Sequence, residues 1–331
     1  MIRTSIQSFR HDASGILKFM RILFMGASRL VSLLERFTEA AAGLEIEVEM
    51  YSLEDSNPWH AIGAARLASL VPGPSFQAPE FSGWLLRFVT DNNIDIVIPN
   101  IDAATVALAR TAGHLRDVGV FPVVSSLEVC EAMADKIRAE EVFRSLDLRV
   151  PDSETFPLLA KPRFGASSRG IVKLNDSSEM DFWRAHSRID DYLLQSFVTG
   201  TELSIDAYVD QTGRTLGIVS RVRVVVSDGE VMVTQTERQP DAIEMTECLL
   251  RWGKWHGPLT VQVIYDGSRA WLLECNPRFG SGVTCSIKAG LAIPEWILRE
   301  RLGLPLPTSR PQWRDGLCLT RSRKDHFVWL S

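Results

Sequence analysis

The sequence has no apolar run of about 18 residues, the length a helix needs to cross a bilayer, so a membrane span is not expected. It has no surplus of basic charge. The formal net charge is −5, which argues against the basic face of a nucleic-acid binder. No two of its five cysteines, Cys130, Cys248, Cys275, Cys285 and Cys318, form a CxxC pair. That speaks against a structural zinc site and a disulfide framework, and fits reduced thiols in the cytosol. The GxxxxGK[ST] order of a P-loop is missing, and no Ser-His-Asp or Cys-His arrangement is evident. Residues 1–19 carry Arg10, His11, Asp12 and Lys18 in place of the long apolar core of a signal peptide, and read as an N-terminal extension.

What is present is an ordinary globular composition, 45% hydrophobic and 23% charged over 331 residues, enough for about two domains. From Met20 onward, apolar runs alternate with helical periodicity. "RILFMG", "EIEVEMYS", "IDIVIPN" and "VFPVV" read as strands; "ASRLVSLLERFTEAAAG", "FSGWLLRFVTDNN" and "AATVALARTAGHLRDVG" read as helices. Strand and helix in alternation predict an α/β unit with a parallel sheet covered on both faces. One long helical segment, "SLEVCEAMADKIRAEEVFRSLDL", follows. After Pro151 the pattern becomes strand-rich, with turn signals "DQTG", "SDGE" and "YDGS" between runs, as in antiparallel hairpins. The expected division is an extension (1–19), an α/β domain (20–125), an α+β domain with mixed and antiparallel sheets (126–305) and a tail (306–331) holding an edge strand or two.

Four features of the second region bear on function. In "LLAKPRFGASSRG", Lys161 ends a strand, and Gly165, Ala166, Ser167, Ser168 and Gly170 form a loop of small residues. Such a loop lets backbone N–H groups approach an anion, although most glycine loops are plain turns. In "YLLQSFVTGTELSIDAY", two strands meet at Thr199-Gly200. The crossover can offer backbone groups to a flat base and Glu202 to ribose hydroxyls, or it is only a hairpin. In "VQVIYDGSRAWLLECNPR", the Asp266-Gly267 turn brings Gln262 towards Glu274 and Asn276. These two alternate residues share a strand face. Oxygen ligands of this kind suit Mg²⁺, with Mn²⁺ an alternative, and Arg278 adds a planar fork for phosphate. The competing reading, a solvated polar face, is weakened by how apolar these strands are. The last feature is Lys136 in "ADKIRAEEVF", which alone is an ordinary helix lysine. Cys275, between two polar neighbours, reads as a buried filler. Taken together, the features describe a nucleoside triphosphate site.

The stretch from Asp135 to Ala292 resembles the ATP-grasp superfamily, in particular its carbamoyl phosphate synthetase and biotin carboxylase branch. "ECNPRFGSG" resembles that branch's E-x-N-P-R motif, and "IDIVIPNIDAATVALA" resembles part of the domain that precedes ATP-grasp. The likeness spans roughly residues 20–300. It implies that Lys136 and Lys161 contact ATP phosphates beneath a flap from Gly165 to Gly170, which includes Ser167 and Ser168. It implies the adenine edge on the backbone around Phe197 and Val198, Gln195 among the nucleotide-binding residues, ribose at Glu202, and Mg²⁺ at Gln262, Glu274 and Asn276. Arg278 would stabilise the transferring phosphoryl group. Two departures stand out: Gln262 where many members have a second carboxylate, and Gln195-Ser196 where Glu-Lys or Gln-Glu is common. Arg221 and Arg223, alternating on "VSRVRVVV", bind a substrate carboxylate or acyl phosphate, or else lie on an exposed face. Ser281 and Gly282 are expected at the substrate end. The expected activity is ATP-dependent ligation of a carboxylic acid to an amine such as an amino acid (or to a thiol), releasing ADP and phosphate. A small-molecule kinase and a non-catalytic nucleotide-binding module are the alternatives. Dimers are frequent in the superfamily, and a homodimer is compatible with the reading.

Overall fold

The computed structural model describes residues 19–27, 30–54, 64–165, 169–227 and 229–322. The first unit is a parallel sheet of β1 (Phe19–Met25), β2 (Glu47–Glu54), β3 (Ala68–Pro72), β4 (Ile96–Pro99) and β5 (Phe121–Pro122), in the order β3-β2-β1-β4-β5. Helices α1 (Val31–Gly43), α2 (Phe81–Asp91) and α3 (Asp102–Asp117) connect and cover it. β1 is buried almost throughout, as a central parallel strand must be. Its neighbours β2 and β4 lead the chain away in opposite directions. The carboxyl ends of β1 and β4 therefore border the crevice where open α/β sheets bind ligands. Gly26 closes β1 at φ +79°, and a Cβ there would press on the Ile101 side chain at 3.0 Å. β3 was not expected from the sequence, being five residues with no clean alternation.

The single long helix predicted after this unit is in fact two, α4 (Leu127–Ala134) and α5 (Lys136–Ser145). Asp135 is extended between them and accepts hydrogen bonds from the N–H groups of Ile137 and Arg138, the work of an N-cap. A three-stranded antiparallel sheet, β7-β6-β8, follows from β6 (Leu158–Pro162), β7 (Val172–Leu174) and β8 (Tyr192–Ser196), with helix α6 (Ser177–His186) against it. The larger sheet is antiparallel: β9 (Thr201–Val209), β10 (Thr215–Ser227), β11 (Glu230–Thr236), β12 (Gly257–Tyr265), β13 (Ala270–Asn276) and β14 (Cys318–Thr320), ordered β13-β12-β9-β10-β11-β14. β14 is the edge strand expected of the tail. Helix α7 (Pro240–Leu249) lies between β11 and β12, and α8 (Val283–Lys288) and α9 (Ile293–Leu302) follow β13. No helix among the described residues is long and apolar enough to cross a membrane.

The parallel sheet and the larger sheet share one core. Phe24 and Phe37 of the first unit pack in the same cluster as Tyr208, Phe279 and Trp296, and the Phe37 and Phe279 ring centres are 6.2 Å apart. This shared packing sets the end of β13 against the crevice of the parallel sheet. The β8–β9 crossover is equally tight. A Cβ on Gly200 would sit 2.3 Å from the Tyr265 carbonyl oxygen, which is backbone and cannot move aside cheaply. Gly200→Ala is expected to cost about 1–3 kcal/mol, the usual range for overpacking. Chemical denaturation checks this, with unchanged stability counting against the close approach.

Candidate functional site

The β12–β13 hairpin places Gln262 opposite Glu274 and Thr260 opposite Asn276. Residues facing each other across antiparallel strands share a face, so the three oxygen-bearing side chains foreseen in the sequence converge. The turn is built by Asp266, whose carboxylate accepts from the backbone N–H of Ser268 and Arg269 and from the Trp271 indole. Gln262, Glu274 and Asn276 are all half-buried, so the face is no solvated exterior. Asn276 donates to Glu274 Oε1 at 3.0 Å. Between them Cys275 points to the core, where burial pushes its thiol pKa up, as suits a filler.

Lys161, at the end of β6, donates to Gln195 Oε1 at 2.6 Å, and Gln195 Nε2 donates to Glu140 Oε2 at 2.6 Å. Gln195 is therefore buried between Lys161 and α5. Its side-chain amide holds the lysine in place. Burial lowers the Lys161 pKa, while the negative charge of Glu274 acts in the opposite direction. The ammonium thus feels the metal-type hairpin. Lys136, the first residue of α5, donates to the Gly165 carbonyl at 2.8 Å, which places the second cation against the glycine loop. Gly165 and Gly170 lie at φ +136° and +74°, where a side chain is strained. Ser167 and Ser168 fall outside the described residues.

The crossover differs in detail from expectation. The Phe197 N–H is already committed to the Pro157 carbonyl at 2.7 Å, and its half-exposed ring lies under Lys173 Nζ at 4.7 Å. The Val198 N–H makes no hydrogen bond among the described residues. Glu202 pairs with Arg223 at 3.0 Å across β9 and β10. Arg221 and Arg223 do share a face, but neither is exposed. Arg221 in particular is 1% exposed, and its Nε donates to the buried Asp206 at 2.8 Å. Asp206 also accepts from Thr260 at 2.7 Å and Ser286 at 2.6 Å. Arg221 is thus paired inside the protein, which speaks against the exposed strand face that was one of its two expected places. Ser281 accepts from the Val231 N–H at 3.1 Å, and Gly282 packs so closely on Arg221 that a Cβ would lie 2.4 Å from Nη1. Both brace the sheet where a substrate contact was expected.

Arg278 follows the hairpin and grips Asp102, the first residue of α3, through Nε at 2.7 Å and Nη2 at 3.3 Å. Nη2 also reaches Asn276 Oδ1 at 3.1 Å. This fork joins the hairpin to the crevice of the parallel sheet. Beside it, at the carboxyl end of β4, Asn100 has both side-chain amide atoms buried without a partner. A buried unpaired amide is costly and asks for a partner the protein does not supply. Sequence reasoning overlooked Asn100 and Asp102, although "PNID" at a strand end was the signal for both.

No group of three His, Cys, Asp or Glu side chains among the described residues could hold a metal alone. One carboxylate and two amides at Glu274, Asn276 and Gln262 form an oxygen donor set that fits Mg²⁺ sharing its shell with phosphates and water.

Residues 188–324 match the family described as ATP-grasp in the biosynthetic pathway with Ter operon. Over that stretch the chain is similar to ATP-grasp proteins. It is similar to a D-alanine–D-alanine ligase of Pseudomonas fluorescens, 29% identical over 45% of this chain and 55% of that one, so the match spans about half of that relative. A D-alanine–D-alanine ligase of Marinobacter nauticus is 26% identical over 72% of this chain and 83% of its own. Among solved structures, the biotin carboxylase domain of Hydrogenobacter thermophilus 2-oxoglutarate carboxylase, in complex with MgADP and bicarbonate, superimposes with a TM-score of 0.67. It is 17% identical over 89% of this chain and 72% of that chain. At that identity the likeness concerns the ATP-grasp fold alone.

Proposed function

We propose that this protein is an ATP-dependent carboxylate–amine ligase that works through an acyl phosphate and releases ADP and phosphate. The observation that supports it most is the convergence of Gln262, Glu274 and Asn276 on one face, with Arg278 reaching from that face to the crevice of the parallel sheet. The similarity to D-alanine–D-alanine ligases supports the carbon–nitrogen bond.

In this reading ATP lies between the small and the large antiparallel sheets. The Val198 N–H is the backbone donor to adenine. Glu202, when released from Arg223, takes the ribose hydroxyls. Lys161 and Lys136 bind phosphate oxygens, with Gln195 and Glu140 fixing the Lys161 rotamer. Mg²⁺, held by Glu274, Asn276 and Gln262, supplies charge neutralisation at the phosphates when bound. Arg278 exchanges part of its grip on Asp102 for the transferring phosphoryl group, a role suited to a planar fork. Arg223 faces the same site. The acid is activated because phosphoryl transfer converts a poor leaving group into phosphate, and the amine then displaces it. The protein contributes positioning and preorganised charge. Gly165 and Gly170 border the phosphates, where excluding water protects the acyl phosphate. Asn100, unpaired at the β4 end, faces the acid or amine.

Measuring ADP release against pairs of acids and amines tests the proposal. ADP appearing only when both are present supports ligation. ADP with a single acid or alcohol makes the protein a kinase, and AMP overturns the scheme. Removing divalent metal with EDTA is expected to abolish turnover, with Mg²⁺ or Mn²⁺ restoring it. Lys161→Ala is expected to raise the KM for ATP about 10- to 100-fold, the loss of one charge-assisted hydrogen bond or so. An unchanged KM would detach Lys161 from the nucleotide.

A further inference from the structure

A second cavity, of about 640 Å³, lies at the seam between the parallel-sheet unit and the larger sheet, and none of the residues assigned above to ATP, metal or substrate line it. Its size is that of an ordinary small-molecule pocket. Arg116 from α3, Lys254 from the segment before β12 and Arg301 from α9 line it together. Arg116 and Lys254 make no ion pair among the described residues. Arg301 reaches Asp95 only at 3.4 Å, and its Nε is buried without a hydrogen bond. The lining carboxylate, Glu300, is already committed: it accepts from the Tyr208 hydroxyl and from the Gln211 N–H. The local balance is therefore positive.

His256 sharpens the picture. Its backbone is pinned by Ser125, which accepts from its N–H at 3.0 Å and donates to its carbonyl at 3.2 Å. Its Nε2 is buried with no hydrogen-bond partner and stands 3.8 Å from Glu300 Oε1. A fixed imidazole nitrogen left unpaired on the wall of a cationic cavity is a polar group lacking a partner.

We propose that this cavity is a second ligand site, which takes a small dianion bearing a phosphate or paired carboxylates, held by Arg116, Lys254 and Arg301 and contacted by His256 Nε2. Guanidinium forks from both units match such a ligand bidentately, and its binding ties the two units together. It therefore raises thermal stability by mass action. Burial and then the charge of Arg116 depress the His256 pKa to about 4. The groups facing it are Arg116, Lys254, Arg301, Glu300 and Asp210. An added dianion offsets the cations among them and favours the imidazolium, so the His256 titration moves up.

The test uses the full chain without Mg²⁺ and two probes, inorganic phosphate and succinate, to separate the phosphate source from the dicarboxylate source. Thermal unfolding and the histidine ring-proton titration are followed, with His256→Asn identifying the signal. Either probe is expected to raise the melting temperature and the His256 pKa. In the Arg116→Ser/Lys254→Ser double variant, which changes two cavity-lining side chains without touching the ATP site, the apparent affinity should fall at least about tenfold. Lys161→Ala should retain both responses. If neither probe acts on the wild type, or the double variant responds as the wild type does, the proposal fails. It also fails if Lys161→Ala removes the response, because the anion then sits in the ATP cleft.

Discussion

Glu274→Gln is expected to lower ADP release by about 10²- to 10³-fold while leaving the fold intact. The substitution keeps the volume of the side chain and an oxygen for the Asn276 Nδ2 donor at 3.0 Å, so the hairpin has no packing reason to move. What it removes is the one carboxylate of the Gln262, Glu274 and Asn276 set. Two neutral amides remain, and a hard cation held by phosphates and water loses its charged protein anchor. Losing one preorganised charge-stabilising group in a dry site costs about 2.7–4 kcal/mol of transition-state stabilisation. The defect should shrink at high Mg²⁺ if it is one of metal affinity. The Glu274 charge also opposes the burial that lowers the Lys161 pKa, so the variant should lose some ammonium at alkaline pH and fall off earlier there. Steady-state ADP release, with circular dichroism on the same sample, decides the matter. Wild-type turnover in Glu274→Gln would remove the metal assignment and leave the hairpin a structural element.

The hairpin was legible because its information is local. A turn at Asp266-Gly267 and alternation on either side fix the register, and register fixes which side chains meet. The strand and helix alternation of residues 20–125 was legible for the same reason. Failures came where the deciding partner is distant. Arg278 meets Asp102 across 176 positions, and no pattern around either residue announces the other. Asp135 interrupts a continuous helical period because its carboxylate caps α5 and receives Arg163 from beyond β6, at 2.9 Å from Nε. Periodicity alone does not register that competition. The short strand β3 follows segments 55–63 that lie outside the described residues, and its pairing with β2 is what makes it a strand. The arginines of β10 show the limit most clearly. Alternation gave Arg221 and Arg223 a common face, yet only tertiary packing separates a guanidinium spent on Asp206 from one beside the cleft.

That buried pair carries the largest stability effect. Asp206 and Arg221 are 0% and 1% exposed, and Asp206 additionally receives the Thr260 and Ser286 hydroxyls, so four elements, β9, β10, β12 and α8, meet at one carboxylate. Removing one partner of a buried pair strands the other charge away from water. Arg221→Met and Asp206→Ala are each expected to cost about 3–5 kcal/mol, a large part of a typical domain's stability. Asp206→Asn/Arg221→Met keeps an acceptor for the two hydroxyls and leaves no charge unpaired, so the double variant should lose less than the sum of Asp206→Asn and Arg221→Met. Urea unfolding with an unchanged m value measures all four proteins on one scale. Additive losses would mean that the pair is no energetic unit. Coupled losses would make the carboxylate the joint that holds Thr260, and with it the Asn276 strand, in register beneath the nucleotide. The pair would then act on catalysis only through geometry: Asp206→Asn/Arg221→Met should keep its KM for ATP, whereas Lys161→Ala should not.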